Sequence, residues 1–311
     1  MTRLSWILLT NDDGIDADSL QKLVTALHNK GHGCVVFAPK ENNSAVSMKL
    51  TLGKGLEVER REDIRENVFQ FSIAGSPCDC VIAALDGGLE RLTPGVIPKL
   101  VVSGVNLGPN LSQDAYHSGT MAAAREAGMY GMPAIASSWS SFDPKGMDVS
   151  IDATVQLVEA ALKILPETPE NVNRPHVDVN APHLSAWPDE SRHLWRKDAK
   201  KALVSAFASG EIFLNINVPR DWKGDFASTR LGMRWYRNAI TFANDKSTFK
   251  LGAAKIDVDA VKDGDVDADL VGVASVTVMP SWPQTHPLDV DPALLAWSLK
   301  NSEGGLPIWL R

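Results

Sequence analysis

The chain has 311 residues, 44% hydrophobic and 22% charged, with a formal net charge of −7, enough length for one large domain or two small ones around a sizeable core. The acidic balance argues against a general nucleic-acid binder, which needs a basic surface, and no stretch approaches the roughly 18 apolar residues of a membrane helix. Three cysteines, Cys34, Cys78 and Cys80, are too few for a disulfide framework and point to a reducing cytoplasm.

In chain order, "LSWILLT" (4–10) is a short apolar run ending in acids, which predicts a first strand buried on both faces and not a signal peptide. "DADSLQKLVTALHNKG" (16–31) sets Leu20, Leu23, Val24 and Leu27 on one helical stripe, with Asp16 or Asp18 to cap its start and Gly31 its end. "GCVVFAP" (33–39) is a second strand, stopped by Pro39, and "VFQFSI" (68–73) alternates with period two. "SPCDCVIAALDGG" (76–88) predicts a helix with Ser76 as N-cap and Pro77 in its first position. "KLVVSGV" (99–105) is a strand, "SGTMAAAREAGMYG" (118–131) an alanine-rich helix, "MPAIASS" (132–138) a strand and "SIDATVQLVEAALKIL" (150–165) a further helix. Residues 166–210 read as an irregular excursion. Strands follow at 211–219 and 270–280, with a strand or hairpin arm at 229–240. The tail from Pro280 carries Trp282, Leu288, Leu294, Leu295, Trp297 and Trp309, apolar surface expected to pack on a neighbouring subunit.

Strands alternating with helices imply an α/β fold with a parallel sheet covered on both faces. Such sheets bind ligands outside their C-terminal strand ends. Three stretches end strands on that edge. "TNDDG" brings Asp12 and Asp13, "APKENNSAVS" brings Ser44, and "VSGVNLGPN" brings Asn106. Two carboxylates, a hydroxyl and an amide oxygen form an all-oxygen set suited to Mg²⁺ or Mn²⁺. A cation would also relieve repulsion between adjacent acids. Taken singly, each of these residues is equally at home in a turn or cap. In "HSGTMAAA" (117–124), Ser118, Gly119 and Thr120 open a helix whose free N–H groups and dipole attract phosphate, although Ser118 or Thr120 can simply cap it. His117 is placed either to donate a proton to a leaving oxygen or to pack at the loop mouth.

Together, "ILLTNDDGI", "FAPKENNSAVS", "GSPCDCV", "VSGVNLGPNL" and "HSGTMAAAREAGMYGMPAIASS" resemble the SurE family of stationary-phase survival proteins, metal-dependent nucleotidases. The likeness resumes in "LNINVP" (214–219), "TRLG" (229–232) and "DVDADLVGVASVTVMP" (265–280). It implies a single domain at 1–311: a three-layer α/β/α Rossmann-like core at 1–165, the excursion at 166–210, and a C-terminal β-rich, swapped extension and oligomerisation tail at 211–311. It implies a homodimer or homotetramer with one divalent ion, Mg²⁺ or Mn²⁺, per subunit, held by Asp12, Asp13, Ser44 and Asn106. Phosphate contacts are implied for Asn110, Ser118, Gly119 and Thr120. The expected reaction is hydrolysis of nucleoside 5′- or 3′-monophosphates, with Asp12 or Asp13 as base or nucleophile. A broad acid phosphatase, an exopolyphosphatase and a non-catalytic nucleotide-binding paralogue are the alternatives. The chain departs from the family pattern at His117, where tyrosine is usual, at Ala45 for glycine, at Leu107 for a basic residue, and at "DGD" (263–265) for G-T-D.

Overall fold

The computed structural model describes residues 4–185, 194–252, 254–300 and 305–311. Its first half runs β1 (Trp6–Thr10), α1 (Asp18–Asn29), β2 (Gly33–Pro39), β3 (Val58–Arg61), β4 (Val68–Ile73), α2 (Pro77–Ala83), α3 (Leu89–Leu92), β5 (Pro98–Leu107), α4 (Asp114–His117), α5 (Gly119–Met129), β6 (Ala134–Trp139) and α6 (Asp148–Ile164). The second half continues with α7 (Ala199–Ala208), β7 (Ile212–Val218), β8 (Phe226–Thr229), β9 (Met233–Arg237), β10 (Ile240–Phe242), β11 (Phe249–Leu251), β12 (Lys255–Asp259), α8 (Asp265–Leu270), β13 (Ala274–Pro280) and α9 (Pro292–Trp297).

Nine strands form one sheet in the order β3-β4-β2-β1-β5-β6-β7-β13-β8. The six from β4 to β7 are parallel, while β3 and β13 run antiparallel to their neighbours β4 and β7. Alternate side chains of each strand serve opposite faces. Ile7 and Leu9 join a core with α1, α6 and α7, whereas Leu8 joins a second core with α2 and α5. Covering both faces is what allows the near-continuous apolar runs of β1 and β2. The expected α/β three-layer architecture is therefore the one found. Among the described residues, no helix is long and apolar enough to cross a membrane.

Several local expectations change. Ala17, not an aspartate, stands at the N-cap of α1; Asp18 lies in the first turn, and Asp16 accepts from Arg61 at 2.7 and 2.6 Å. The helix expected over 76–88 keeps its Ser76 capping box and Pro77, but α2 ends at Ala83. Beyond it the backbone leaves helical geometry at Asp86 and Gly87, where Gly87 has φ +99°. The excursion contains α7, whose Ala202, Leu203, Ala206 and Phe207 are buried in one core. Strands β7, β8 and β13 belong to the central sheet, while β9 pairs with β12 and β10 with β11 in an exposed hairpin. The tail covers its own chain: Leu288, Leu294 and Trp309 are buried, and Trp309 meets Phe207 edge-on at 5.8 Å. Leu294 and Trp309 share the core that α7 enters.

Candidate active site

β1 lies between β2 and β5, and the chain visits β2 first and β5 later. The chain leaves β1 through α1 on one face of the sheet and leaves β5 through α5 on the other, which opens a crevice between their C-terminal ends. A tight turn delivers the acids there. Asn11 Nδ2 donates to the Gly14 carbonyl at 2.8 Å, Gly14 N donates back to Asn11 Oδ1 at 3.3 Å, and Gly14 adopts φ +102°.

The two carboxylates have different surroundings. Asp12 is 2% exposed, and Thr120 Oγ1 donates to its Oδ1 at 2.5 Å. The Thr120 amide faces it as well. Burial pushes the Asp12 carboxyl up to about 6; the Thr120 hydroxyl opposes that shift and the charge of Asp13 adds to it. Asp13 is half-buried, and its Oδ1 accepts from Asn42 Nδ2 at 3.1 Å and its Oδ2 from Leu107 N at 3.3 Å. Burial raises its pKa too, against the pull of the Leu107 amide and Asn42. Leu107 therefore meets the site through its backbone, and the loss of a basic side chain there leaves this contact intact.

The loop after β2 is laced over the crevice. Asn43 N donates to the Asp12 carbonyl at 2.6 Å, Ser44 N to Asn42 Oδ1 at 2.9 Å, Ser47 N to the His117 carbonyl at 2.9 Å and Ser47 Oγ to the Tyr116 carbonyl at 2.8 Å. Ser44 is exposed at the tip of this loop. Asn106 does not follow its strand, as expected, but sits within β5 opposite Ser138. Its Nδ2 donates to the Gly108 carbonyl at 2.8 Å, which turns the amide oxygen to other uses.

The helix-start residues divide their roles. Ser118 Oγ accepts from Met121 N at 3.0 Å, so its hydroxyl caps α5. Thr120 spends its hydroxyl on Asp12. Gly119 allows the close approach: a Cβ there would lie 2.9 Å from Asp12 Cβ, 3.1 Å from Asp12 Oδ2 and 3.2 Å from the Asn43 carbonyl. Asn110 lies in a separate buried network. Its N donates to Asn217 Oδ1 at 2.7 Å, its Nδ2 donates to Ser138 Oγ at 2.8 Å, and its carbonyl accepts from Asn215 and Asn217. His117 is exposed and packs in neither core.

Sequence reasoning missed Asn42, Asn215, Asn217 and the organiser Asp265. Asp265 is fully buried and accepts from Gly232 N at 2.7 Å, Ser112 N at 3.1 Å and Val266 N at 2.8 Å. It ties the loop leading into α4 to the base of the hairpin. Its place in "DGD" was the available signal. A second tie is made by Asp114, which accepts from Tyr236 Oη at 2.6 Å and pairs with Arg234 at 3.3 Å.

The donor set fits a hard divalent cation. Among the described residues no Lys, Arg or His pairs with Asp12 or Asp13, so two neighbouring acids, one of them buried, lack a counter-charge. No three His, Cys, Asp or Glu side chains gather to hold a metal among the described residues. A cation here would therefore need neutral oxygens such as those of Ser44 and Asn106 to complete its shell.

The family model described as "Survival protein SurE" matches residues 7–238. A "5'-nucleotidase SurE" of Stenotrophomonas maltophilia (strain R551-3) is 39% identical over 179 residues, covering 56% of this chain and 65% of that protein. The chain thus spans less than two thirds of that relative. A second "5'-nucleotidase SurE", from Syntrophotalea carbinolica, is 32% identical over 274 residues, or 87% of this chain and 89% of the relative. Among solved structures, the SurE protein from Aquifex aeolicus superimposes with a TM-score of 0.63 at 25% identity, covering 90% of this chain and 95% of that one.

Proposed function

The chain belongs to the SurE family, and from that premise we propose that it is a metal-dependent phosphomonoesterase, a 5′-nucleotidase that releases phosphate from nucleoside 5′-monophosphates and, as a second substrate class, 3′-monophosphates. The observation that carries this reading is the pair of adjacent carboxylates at the β1–β5 crevice with no cationic partner among the described residues.

Asp12, Asp13, Ser44 and Asn106 would hold one Mg²⁺ or Mn²⁺ per subunit. That ion's chemistry is neutralisation of phosphoryl charge and acidification of a water. The remaining work belongs to the chain. The Gly119 amide and the positive end of α5 bind phosphoryl oxygens. Thr120 fixes the orientation of Asp12, and Asp12 or Asp13 serves as base for the attacking water or as nucleophile. Asn110, held by Ser138, Asn215 and Asn217, shapes the far wall. His117, exposed at the mouth, delivers a proton to the departing nucleoside oxygen.

Exposed Trp235, Ile240, Phe242, Phe249 and Leu251 on the hairpin supply an apolar ribbon for assembly into a homodimer or homotetramer. Three buried free thiols fit a cytoplasmic setting.

A phosphatase assay over a nucleotide panel, with and without Mg²⁺, Mn²⁺ and chelator, tests the reading. Metal-dependent release from mononucleotides is expected. Full activity in chelator, or no activity on any phosphomonoester, would sink it. His117→Ala should slow AMP hydrolysis about 10²-fold more than p-nitrophenyl phosphate hydrolysis, because only the alkoxide needs a proton. Equal losses would leave the histidine without an acid role.

A further inference from the structure

A cavity of about 780 Å³ lies apart from the crevice. It lies along α5 on the α2/α5 face of the sheet, where Met129, Met279, Trp282 and Leu295 wall it. None of Asp12, Asp13, Ser44, Asn106, Gly119 or Thr120 lines it. Its volume lies within the range of small-molecule sites, which are mostly apolar with a few polar groups.

One polar group in it is anomalous. Arg125 projects from the second turn of α5 and is half-buried, with its guanidinium 5.6 Å from the centre of the Phe213 ring. Among the described residues it has no hydrogen-bond acceptor and no carboxylate. The other half-buried arginines are all paired: Arg61 with Asp16, Arg65 with Asp63, Arg174 with Glu211 and Arg234 with Asp114. Burial pushes the Arg125 pKa down, as expected of a cation removed from water without compensation. A second arginine, Arg230, also lines the cleft, and among the described residues no Asp or Glu does. On a chain of formal charge −7, this is a local concentration of positive charge set in apolar walls.

We propose that this cleft is a second ligand site, separate from the phosphate crevice, which takes a small organic anion: a carboxylate on an apolar body, with the carboxylate on Arg125 and the body against Trp282, Met129 and Leu295. The guanidinium supplies the planar fork that a carboxylate matches. The Phe213 ring behind it holds the cation in place. The apolar walls exclude hydrophilic anions such as inorganic phosphate, which lack surface to bury there. Binding needs no metal and no hydrolysis.

Calorimetric titration of the full chain, without added metal, uses 1-naphthylacetate as probe and 1-naphthylacetamide as its uncharged isostere. Saturable binding of one acetate per chain is expected, with the acetamide weaker by at least about tenfold, the scale of a charge-assisted contact. Arg125→Met, which keeps an apolar stem over Phe213, should weaken the acetate by a similar factor and leave the acetamide unchanged. Trp282→Ala should weaken both. Asp12→Asn should change neither, so this result is independent of the nucleotidase reading. Unfolding curves for each variant check that the fold is retained. No binding, equal affinity for the two isosteres, indifference to Arg125→Met, or loss in Asp12→Asn would each overturn the proposal.

Discussion

The crevice and the hairpin break the ordinary partition of residues in opposite ways. In the crevice, charge is buried: Asp12 is 2% exposed beside Asp13, and burying a carboxylate without a partner is costly. In the hairpin, apolar surface is exposed: Phe242 is 55% exposed and Leu251 76%. The crevice is held by hydrogen bonds from the loop after β2, from β5 and from α5. The hairpin has its own ladder, the Phe242–Phe249 pair at 5.7 Å, and the anchorage of Arg234 and Tyr236 on Asp114. A buried charge calls for a small hard ion, and an exposed apolar ribbon calls for a protein surface. On the function proposed above the two regions answer to different partners, although Asp265 and Asp114 join them.

The largest expected effect separates them. Asp12→Asn or Asp13→Asn should cut mononucleotide hydrolysis by at least about 10²-fold, the scale of removing a key electrostatic group, with the assembled mass unchanged in light scattering. Replacing Phe242, Phe249 and Leu251 together by serine should do the reverse, lowering the assembled mass and sparing the hydrolytic rate. If the aspartate variants also dissociated, the distinction would fail.

The link between the regions can be read through pH. Burial pushes the Asp265 carboxyl up to about 6 from 3.8, against three amide donors. The folded chain therefore holds this proton more tightly than the unfolded one. Its contribution to stability is complete below pH 3.8 and is lost as pH rises through about 6. Between those limits the native chain should lose about 3 kcal/mol relative to Asp265→Asn, two pKa units' worth. Urea unfolding of both proteins at acid and neutral pH measures the difference. A gap that does not change with pH would remove Asp265 as a titrating joint.

Gly119→Ala tests how tightly the crevice is packed. The added methyl would press on Asp12 and the Asn43 carbonyl, so a cost of about 1–3 kcal/mol is expected, together with lower activity. The hairpin has no comparable position, and an alanine in place of Gly252, which has no atom within 4 Å of its Cβ site, would meet only backbone strain from φ +144°. The smallest effect concerns Ala45, which holds φ +56° in the loop over the crevice. Ala45→Gly should stabilise the chain by up to about 1 kcal/mol, since left-handed geometry strains alanine and not glycine. A lowered urea midpoint would contradict this.

What the sequence disclosed follows the same division. β2 and β4 have the bounds their apolar patterns indicate, 33–39 and 68–73, because buried strands are written in period and stopped by proline. The strand-end placement of Asp12 and Asp13 was legible for the same reason. Their partners were less so: Thr120 is 108 residues from Asp12, and no local pattern encodes that contact. Ser118 and Thr120 open the same helix in the sequence, and no local signal says that one hydroxyl caps it while the other reaches Asp12. β10, β11 and β12 escaped notice because strands exposed on both faces carry no buried alternation. α7 was hidden behind a proline-rich approach, although its buried stripe is clear once the helix is seen.

The neck of the hairpin has a consequence for how such chains diversify. Arg230 N donates to the Asp263 carbonyl at 2.9 Å and Asp265 N donates to the Arg230 carbonyl at 2.9 Å, so the outgoing and returning strands meet at one point. Everything between them enters and leaves the body through adjacent residues. Such a segment can lengthen, shorten or change its side chains between lineages without moving a strand of the nine-stranded sheet. Natural selection can in this way revise the exposed face of the hairpin while the crevice stays under separate constraint. The same neck is where an engineer would cut and close the chain with a short turn to obtain a smaller catalytic body.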